Sequence, residues 1–218
     1  MNLSNFEQLL QKGFKQFNIP INSKQIKLFI TYLKEIQNLP YNLTSIKKPR
    51  DIIIEHFFDS LALLNLKPEI LINKKVIDVG CGAGFPLLPL KIIAPNFEAY
   101  FLDQKQKSIN FVRTVVEKLK IHQCFFLNYN SKSLKQEYQN FYDILVSRAV
   151  GSIEYMVKNS FHLLKPNGLM VLYKGPKYTK EIQNIPTSIK RKIKNIQTYP
   201  VTIPFLHKER FLLFVYKN

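Results

Sequence analysis

The segment of this chain with the clearest chemical meaning is a glycine-rich run that follows a short apolar stretch. It reads VIDVGCGAGFP over residues 76–86 and contains three of the seven glycines of the chain. Glycine accepts the backbone angles of a tight turn and lets the backbone approach a bound molecule closely. Proline is common in the first turn of a helix. The pattern therefore predicts a strand, a ligand-binding turn at Gly80, Gly82 and Gly84, and a helix that starts near Pro86.

An acidic residue at the end of the next predicted strand, Asp103, adds to this pattern. A carboxylate in that position can accept hydrogen bonds from both hydroxyls of an adenosine ribose. The dinucleotide fingerprint G-x-G-x-x-G fits less well, because the spacing here is G-x-G-x-G and Phe85 occupies the sixth position. Asp78 stands two residues before the turn and suits a cofactor without a diphosphate. The combination favours S-adenosylmethionine over a nicotinamide dinucleotide, and a glycine-rich turn without any ligand is the other alternative.

The elements that must position these residues alternate between strand and helix patterns from Lys75 onward. Strands are predicted at 76–79, 98–102, 124–128, 144–147 and 169–173, with a closing pair at 196–203 and 210–216. Helices are predicted at 86–93, 105–120, 131–138 and 152–164. This alternation is typical of an α/β fold with a doubly wound, mostly parallel sheet. Together with the glycine turn, it predicts a Rossmann-like class I methyltransferase fold with an antiparallel last strand. Residues 67–218 are predicted to form this domain.

Helical patterns occupy the first part of the chain. Apolar residues recur at helical spacing from Phe6 to Phe17 and from Ile26 to Ile36. A third helix is predicted at about 50–64, with Pro49 near its first turn. The segment between Asn38 and Pro49 is broken by Pro40 and Asn42 and is predicted to be a loop. Residues 1–66 are therefore predicted to form a helical N-terminal extension.

The amino-acid composition limits the partners of the protein. The chain has 218 residues, of which 46% are hydrophobic, enough for one α/β domain with a modest extension. Its 32 basic and 15 acidic residues give a net charge of +17. Such a charge favours polyanionic partners, chiefly nucleic acid or an anionic membrane surface. A lysine-rich surface that reflects only the codon bias of a genome is the alternative.

Several kinds of site are not indicated by the sequence. Cys81 and Cys124 do not make a disulfide framework, and no metal-ligand spacing is present. Neither a signal peptide nor an apolar segment of the roughly 18 residues needed to span a membrane is found. The sequence therefore predicts a cytoplasmic protein that has no metal, does not act at a membrane and needs no obligate protein partner.

Six short motifs spread over nearly the whole chain resemble those of one family. They are Asn42-Leu43-Thr44, His56-Phe57-Phe58-Asp59-Ser60-Leu61, the turn from Asp78 to Pro86, Leu102-Asp103 with Lys107 and Phe111, Ser147-Arg148-Ala149, and Lys174-Gly175. The chain thereby resembles the bacterial ribosomal RNA small subunit methyltransferase G proteins, also called glucose-inhibited division protein B. Many methyltransferases share the glycine turn, whereas the helix motif H-F-x-D-S-L combined with S-R-A is far more particular.

The resemblance implies transfer of a methyl group from S-adenosylmethionine to N7 of one guanine in 16S ribosomal RNA, either naked or within the small ribosomal subunit. It also implies cofactor contacts at Gly80 and Phe85, at Ser131-Lys132 and at Arg148. Lys132 departs from the family, which more often has Glu there. The change is harmless if only the backbone N–H contacts the adenine, and it weakens cofactor binding if a carboxylate normally makes that contact. Gln104 in place of Ser, and Val150-Gly151 after the S-R-A motif, are milder differences.

Methylation of guanine N7 makes modest chemical demands on a protein. N7 has an in-plane lone pair and carries no proton at neutral pH, so its attack on a sulfonium methyl needs no general base. Alignment of the reacting atoms can supply roughly 7–11 kcal/mol of barrier reduction in favourable cases. Catalysis is therefore predicted to rest on positioning alone, and no catalytic acid or base is predicted.

Four side chains are predicted to position the substrate. Arg148, after the fourth strand, can hold the cofactor carboxylate, an RNA phosphate or guanine O6. His56 and Asp59 lie three residues apart on one helical face, and a structural role for this pair is the main alternative. Lys174 follows the fifth strand near the cleft. Further phosphate contacts are predicted at the basic runs Lys47–Arg50 and Lys190–Lys194, and at Lys177 and Lys180.

Other functions fit the sequence less well. Enzymes that methylate amino groups of adenine or cytosine usually carry an Asn/Asp-Pro-Pro-aromatic loop where this chain has Ser147-Arg148-Ala149-Val150. A cytosine-C5 enzyme needs a nucleophilic cysteine, and a ribose 2′-O enzyme needs an acid that is missing after the fourth strand. A small-molecule methyltransferase and an RNA-binding protein with a vestigial fold are left as alternatives. The high positive charge weighs against the first, and the intact glycine turn weighs against the second.

Overall fold

A seven-stranded sheet forms the centre of the computed structural model, which describes residues 3–39, 43–134 and 136–218. The strands are β1 (Lys75–Val79), β2 (Glu98–Leu102), β3 (Cys124–Leu127), β4 (Tyr142–Arg148), β5 (Leu164–Lys174), β6 (Ile193–Val201) and β7 (Arg210–Lys217). Their order in the sheet is β3-β2-β1-β4-β5-β7-β6. β7 runs antiparallel to both β5 and β6, and the other neighbouring pairs are parallel. The predicted doubly wound, mostly parallel sheet with an antiparallel last strand is confirmed.

The position of β1 explains why three of its five residues are apolar. The strand lies between β2 and β4, with Asp78 opposite Phe101 and Val146, and strands covered on both faces need apolar side chains on both. The strand order reverses between β1 and β4. In sheets of this kind, ligands bind at such a switch point, beyond the carboxyl ends of the strands. The glycine turn that follows Val79 therefore lies where a ligand is expected.

Helices cover both faces of the sheet. They are α1 (Leu3–Gln16), α2 (Ser23–Gln37), α3 (Pro49–Ile52), α4 (Asp59–Leu66), α5 (Leu87–Ile93), α6 (Gln106–Leu119), α7 (Ile153–Ser160), α8 (Tyr178–Gln183) and α9 (Thr187–Lys190). Because neighbouring strand residues point to opposite faces, two apolar cores form. Val76 and Val171 share one core with helices α1 to α6, whereas Ile77 and Met170 share the other with α7 and α9.

The helical N-terminal extension forms a wall beside the glycine turn. α3 continues into a π-helical segment, Ile53–Phe58, and then into α4. Tyr32 of α2 stacks on Phe85 with ring centroids 5.5 Å apart, and its hydroxyl donates a hydrogen bond to the carbonyl oxygen of Ala83. The extension therefore shares a core with the sheet and holds the turn in place. A domain boundary between residues 66 and 67 stays a prediction.

Some elements differ from those that the sequence predicts. The helix predicted at 131–138 is wrong, because short 3-10 turns form at Ser131–Ser133 and Gln136–Tyr138. The Asn130 side chain caps the first of these turns by accepting a hydrogen bond from Lys132 N at 3.0 Å, and the turn ends at Leu134, where the backbone is extended. Helices α8 and α9 have no counterpart in the prediction. Pro40 and Asn42 of the predicted loop lie outside the described residues.

No helix in the described ranges is both long enough and apolar enough to cross a membrane.

Candidate functional site

The glycine turn has the geometry that its sequence predicts. Gly80, Gly82 and Gly84 have φ angles of +76°, +54° and +97°, which residues with a Cβ rarely adopt. A Cβ at Gly80 would lie 2.4 Å from Val150, and one at Gly84 would lie 2.8 Å from the Tyr32 hydroxyl. A Cβ at Gly82 would meet only a backbone oxygen, at 4.0 Å. The protein's own packing therefore requires two of the three glycines, and Gly82 faces open space.

Asp103 supports this turn from the end of β2. Its Oδ2 accepts a hydrogen bond from Gly82 N at 2.9 Å, and its Oδ1 accepts one from Lys105 N at 2.8 Å. These two bonds fix the plane of the carboxylate, yet each oxygen can accept a further bond. The side chain is 9% exposed and borders a cavity. Asp103 is thus an oriented acceptor that a ligand hydroxyl can reach.

The cavity beside Asp103, which we call the nucleoside cavity, has a volume of about 620 Å³. It lies between the glycine turn, the ends of β2 and β3, and the loop after β4. Tyr129, Val150 and Tyr155 line it, and each is more than a third exposed. Exposed apolar groups beside a few oriented polar groups are typical of a small-molecule site. The nucleoside cavity therefore suits a ligand with one flat apolar part and one polar part.

Ser131 and Lys132 lie at the rim of the nucleoside cavity. Ser131 is buried and lines it. Lys132 N donates to Asn130 Oδ1 at 3.0 Å, and Lys132 Nζ lies 5.8 Å from the centroid of the Tyr155 ring. The backbone N–H of Lys132 therefore has a partner within its own turn, and its ammonium group rests against an aromatic ring of the cavity.

A second cavity, of about 570 Å³, adjoins the first at Gly80 and Gly82. We call it the cationic cavity. Its lining comes from the helical extension, the ends of β4 and β5, and the start of β7. The charged and polar side chains in this lining include His56, Asp59, Arg148, Lys174 and Arg210. The structure thus brings together the four side chains that the sequence predicts for substrate positioning.

Arg148 occupies the centre of the cationic cavity. Its Nη1 donates to Asp59 Oδ2 at 2.9 Å and to Glu55 O at 3.0 Å, and its Nη2 lies 2.7 Å from His56 Nδ1. The guanidinium carbon lies 5.1 Å from the centroid of the Phe85 ring. The side chain is only 13% exposed. Much of the guanidinium group is therefore used to join β4 to the helical extension, and the other N–H groups can meet a ligand.

The His56 ring has contacts at both of its nitrogens. Its Nδ1 lies 2.7 Å from Arg148 Nη2 and 3.1 Å from Glu55 O, and its Nε2 lies 2.6 Å from Thr44 Oγ1. Thr44 Oγ1 also accepts a hydrogen bond from Ile46 N at 3.1 Å. Burial, and then the charge of Arg148, lower the pKa of His56 to about 3. His56 is therefore neutral at physiological pH and poorly suited to act as a general base.

Arg210, at the start of β7, is a site residue that the sequence analysis missed. Its Nε donates to Asp59 Oδ1 at 3.2 Å, and its Nη2 lies 3.7 Å from Glu55 Oε2. Asp59, which is 4% exposed, is therefore shared by two arginines. No local motif marks Arg210, because only the antiparallel pairing of β7 with β5 brings it to this edge of the sheet. Its charge is the one signal in the sequence.

Lys174, in the lining of the cationic cavity, is held by hydrogen bonds to the loop after β4 and to α8. Its Nζ donates to Gly151 O at 2.7 Å and to Glu181 Oε2 at 2.8 Å. Glu181 Oε2 also accepts from Ile153 N, the first residue of α7, at 2.9 Å. These bonds fix the loop between β4 and α7, which places Val150 over the glycine turn. In this structure Lys174 supports that loop, and Glu181 is its unpredicted partner.

Asp78 lies fully buried beneath the turn. Its Oδ2 accepts from Leu87 N at 3.3 Å, and its Oδ1 has no hydrogen-bond partner among the described residues. Burial raises the pKa of Asp78 to about 8, although the Leu87 N–H and the charge of Arg148 oppose this shift. The carboxyl group is therefore mainly protonated at neutral pH and adds little negative charge to the site.

The sheet order, with the glycine turn directly after β1, is that of the class I methyltransferase fold. One solved structure with this fold is the tRNA (m1A58) methyltransferase TrmI from Aquifex aeolicus. It aligns with a TM-score of 0.58 and 14% identity, over 85% of this chain and 76% of that one.

Relatives in sequence identify the family of this chain more narrowly than the shared fold does. The chain is 35% identical over 189 residues to the ribosomal RNA small subunit methyltransferase G of Alkaliphilus oremlandii. This alignment covers 84% of this chain and 78% of the relative. The chain is also 35% identical over 174 residues to the protein of that name from Mycoplasma capricolum, with 79% and 74% covered. The family model described as rRNA small subunit methyltransferase G matches residues 22–212. The chain belongs to this family, and the resemblance seen in its motifs is confirmed.

Proposed function

We propose that this protein transfers the methyl group of S-adenosylmethionine to N7 of a specific guanine in the 16S ribosomal RNA of the small subunit. The observation that carries the proposal is the meeting of two different cavities at Gly80 and Gly82. One has the acceptors and apolar surfaces that a nucleoside needs, and the other has the cations that RNA needs. Membership of the family supports the same assignment.

The nucleoside cavity fits S-adenosylmethionine. A Cβ at Gly82 would enter open space, so the absence of a side chain there leaves room for a ligand against the backbone. Asp103 would accept hydrogen bonds from the ribose, and Ser131 with the Tyr155 ring would contact the adenine. When bound, the cofactor supplies a methyl group on a positively charged sulfur, which is open to attack by a lone pair.

The cationic cavity fits a guanine within RNA. The N–H groups of Arg148 that are not bonded to protein would hold guanine O6 or a neighbouring phosphate and leave N7 free. Arg210 would add positive charge on the RNA side, and Phe85 would shield the turn from water. With a pKa of about 3, His56 would not remove a proton. This agrees with a reaction in which N7 has no proton to lose.

The role of each charged side chain follows from its partners. Asp59 and Glu55 hold Arg148 and Arg210 in place, so these acids would act through the arginines and not on the substrate. Lys174 would act through the loop that carries Val150. Catalysis would then rest on alignment of the reacting atoms, with no acid or base. A ribosomal RNA substrate would place the enzyme in the cytoplasm, and no obligate protein partner is required by this scheme.

Methyl transfer to unmodified RNA tests the proposal directly. Purified protein and labelled S-adenosylmethionine would be incubated with 16S RNA and with small subunits that lack the modification, and the nucleosides would be identified by mass spectrometry. We expect 7-methylguanosine at one position. Cofactor binding without transfer to either substrate would contradict the assigned acceptor, and absence of cofactor binding would contradict the assigned cofactor.

A further inference from the structure

A second group of cations lies at the opposite edge of the sheet from the glycine turn. β7 runs from Arg210, beside the cationic cavity, to Lys217 at this other edge. At about 3.3 Å per residue, the two ends of the strand are roughly 23 Å apart. A ligand at Lys217 is therefore too far away to belong to the site described above.

A cavity of about 360 Å³ opens beside Lys217, and we call it the distal basic cavity. Val157 and Phe161 of the α7 region provide an apolar side. Lys158, His162, Lys192 and Lys217 provide polar groups, and the lining includes no Asp or Glu side chain. Three lysines and a histidine around one cavity are suited to an anion of the size of a phosphate.

The cations of the two sites differ in their pairing. At the edge of the sheet that carries the glycine turn, each of three cations forms an ion pair with a carboxylate: Lys174, Lys208 and Arg210. By contrast, the exposed ammonium groups of Lys158 and Lys192 have neither a hydrogen bond nor an ion pair with any other described residue. Their charge is thus available to a partner.

Lys217 is more firmly placed than its two neighbours. Its Nζ donates to Asn140 Oδ1 at 2.8 Å and to Leu164 O at 2.5 Å, and both acceptors are uncharged. Burial lowers the pKa of Lys217. The pKa of His162 is also lowered, mainly by burial and in part by the charge of Lys217. Lys217 is thus a partly buried cation whose two acceptors carry no charge, and a bound anion would pair with it.

Exposed lysines lie between the two sites along the chain. Lys177 and Lys180 lie at the start of α8, which follows the carboxyl end of β5, and Lys190 ends α9, which leads to the opposite edge. α8 and α9 both pack beside α7. Exposed lysines on this layer of helices therefore lie between the edge of the sheet that carries the glycine turn and the distal basic cavity.

We infer that the distal basic cavity binds backbone phosphates of the same RNA whose guanine enters the cationic cavity. This inference rests on the proposed function. Lysine binds phosphate as a point charge, and each phosphate that is neutralised releases counterions. Contact at two points roughly 23 Å apart requires an RNA long enough to span that distance.

The test compares RNA affinity at two salt concentrations in the full-length protein. Lys158→Gln with Lys192→Gln removes two unpaired cations and leaves Lys217 and its hydrogen bonds intact. At a slope of about 0.9 per phosphate, raising salt fourfold should weaken RNA binding by the wild type about tenfold more than binding by the variant. At the lower salt the variant should have a roughly tenfold higher KM for RNA, with unchanged kcat and unchanged cofactor affinity.

A matched control removes the same charge elsewhere. Lys12 and Lys27 are exposed lysines on α1 and α2, and Lys12→Gln with Lys27→Gln should retain the wild-type salt slope. Equal slopes and equal KM values for the wild type and the Lys158/Lys192 variant would overturn the inference. A loss of the same size in the control would also overturn it, because the effect would then reflect total charge. Failure of the wild type itself to bind or methylate RNA would instead refute the proposed function.

Discussion

The nucleoside cavity and the cationic cavity adjoin at the glycine turn, yet they are built in different ways. The nucleoside cavity consists mainly of backbone and neighbouring side chains in the loops that directly follow β1, β2 and β3. The cationic cavity depends on ion pairs between distant segments, since Asp59 bonds Arg148 and Arg210, which lie 89 and 151 residues away. The cofactor half of the site is therefore set by local backbone geometry, and the substrate half by a network of charges.

Replacement of Arg148 by alanine should have the largest effect, because it removes the centre of that network. We expect kcat/KM for RNA to fall at least about 100-fold, which corresponds to roughly 2.7 kcal/mol. The free energy of unfolding should fall by about 2 kcal/mol. This is less than the cost of leaving a buried charge without a partner, because Asp59 retains its ion pair with Arg210. Steady-state kinetics and urea denaturation measure the two effects.

A control for this variant removes an arginine outside both cavities. Arg113 is exposed on α6 and contacts the Phe126 ring, so Arg113→Ala should cost no more than about 1 kcal/mol. Its methyl transfer should match that of the wild type. Full activity in Arg148→Ala would remove Arg148 from the site and would show that the cationic cavity does not position the substrate.

Replacement of Gly82 by alanine tests the other cavity. The Cβ would enter open space at a φ of +54°, which costs about 1–2 kcal/mol of stability. Because the new methyl group would occupy room needed by the ligand, cofactor affinity should fall at least about tenfold, or 1.4 kcal/mol. Calorimetric titration with S-adenosylmethionine measures this change, and Arg148→Ala should weaken cofactor binding less.

Gly84→Ala provides the comparison for this test. Its Cβ would lie 2.8 Å from the Tyr32 hydroxyl, so we expect a larger loss of stability than for Gly82→Ala. Gly80→Val is less informative, because Val150 lies 2.4 Å from the Cβ position. Unchanged cofactor affinity in Gly82→Ala would show that the nucleoside cavity is not the cofactor site.

The last expected effect concerns the pH dependence of stability through His56. Its pKa is about 3 in the folded protein and 6.5 ordinarily, so between these values the unfolded chain binds a proton that the folded protein does not. Stability therefore falls as the pH drops below about 6.5. Between pH 7 and pH 5 the wild type should lose about 2 kcal/mol more than His56→Gln, at roughly 1.4 kcal/mol per pH unit.

Urea denaturation of both proteins at the two pH values measures this difference. Asp78 has a shift of the opposite sign, with its pKa raised to about 8, and contributes stability that is lost as the pH rises. Because Asp78 is present in both proteins, its contribution cancels in the comparison. An equal loss in the two proteins would show that burial and Arg148 do not hold His56 neutral in the folded protein.

The sequence predicts correctly those elements of the fold whose residue pattern is strong over a short segment. β1 and the glycine turn follow from an apolar run and closely spaced glycines, and the helical extension follows from apolar spacing. The helix predicted after β3 is wrong, because the backbone is extended at Leu134 and ends the turn that Asn130 caps. α8 was missed because it is a short polar helix that Glu181 anchors to Lys174 and α7.

The sequence by itself determined the mostly parallel sheet, the glycine turn and the cofactor class, because glycines and apolar runs impose backbone conformation locally. It also identified Arg148, His56 and Asp59 as candidates. Only the tertiary structure decided that these residues join Arg210 in one network, and that Lys174 supports a loop. The physical reason is that strand order and helix packing decide which distant side chains meet, and residue spacing along the chain does not encode either.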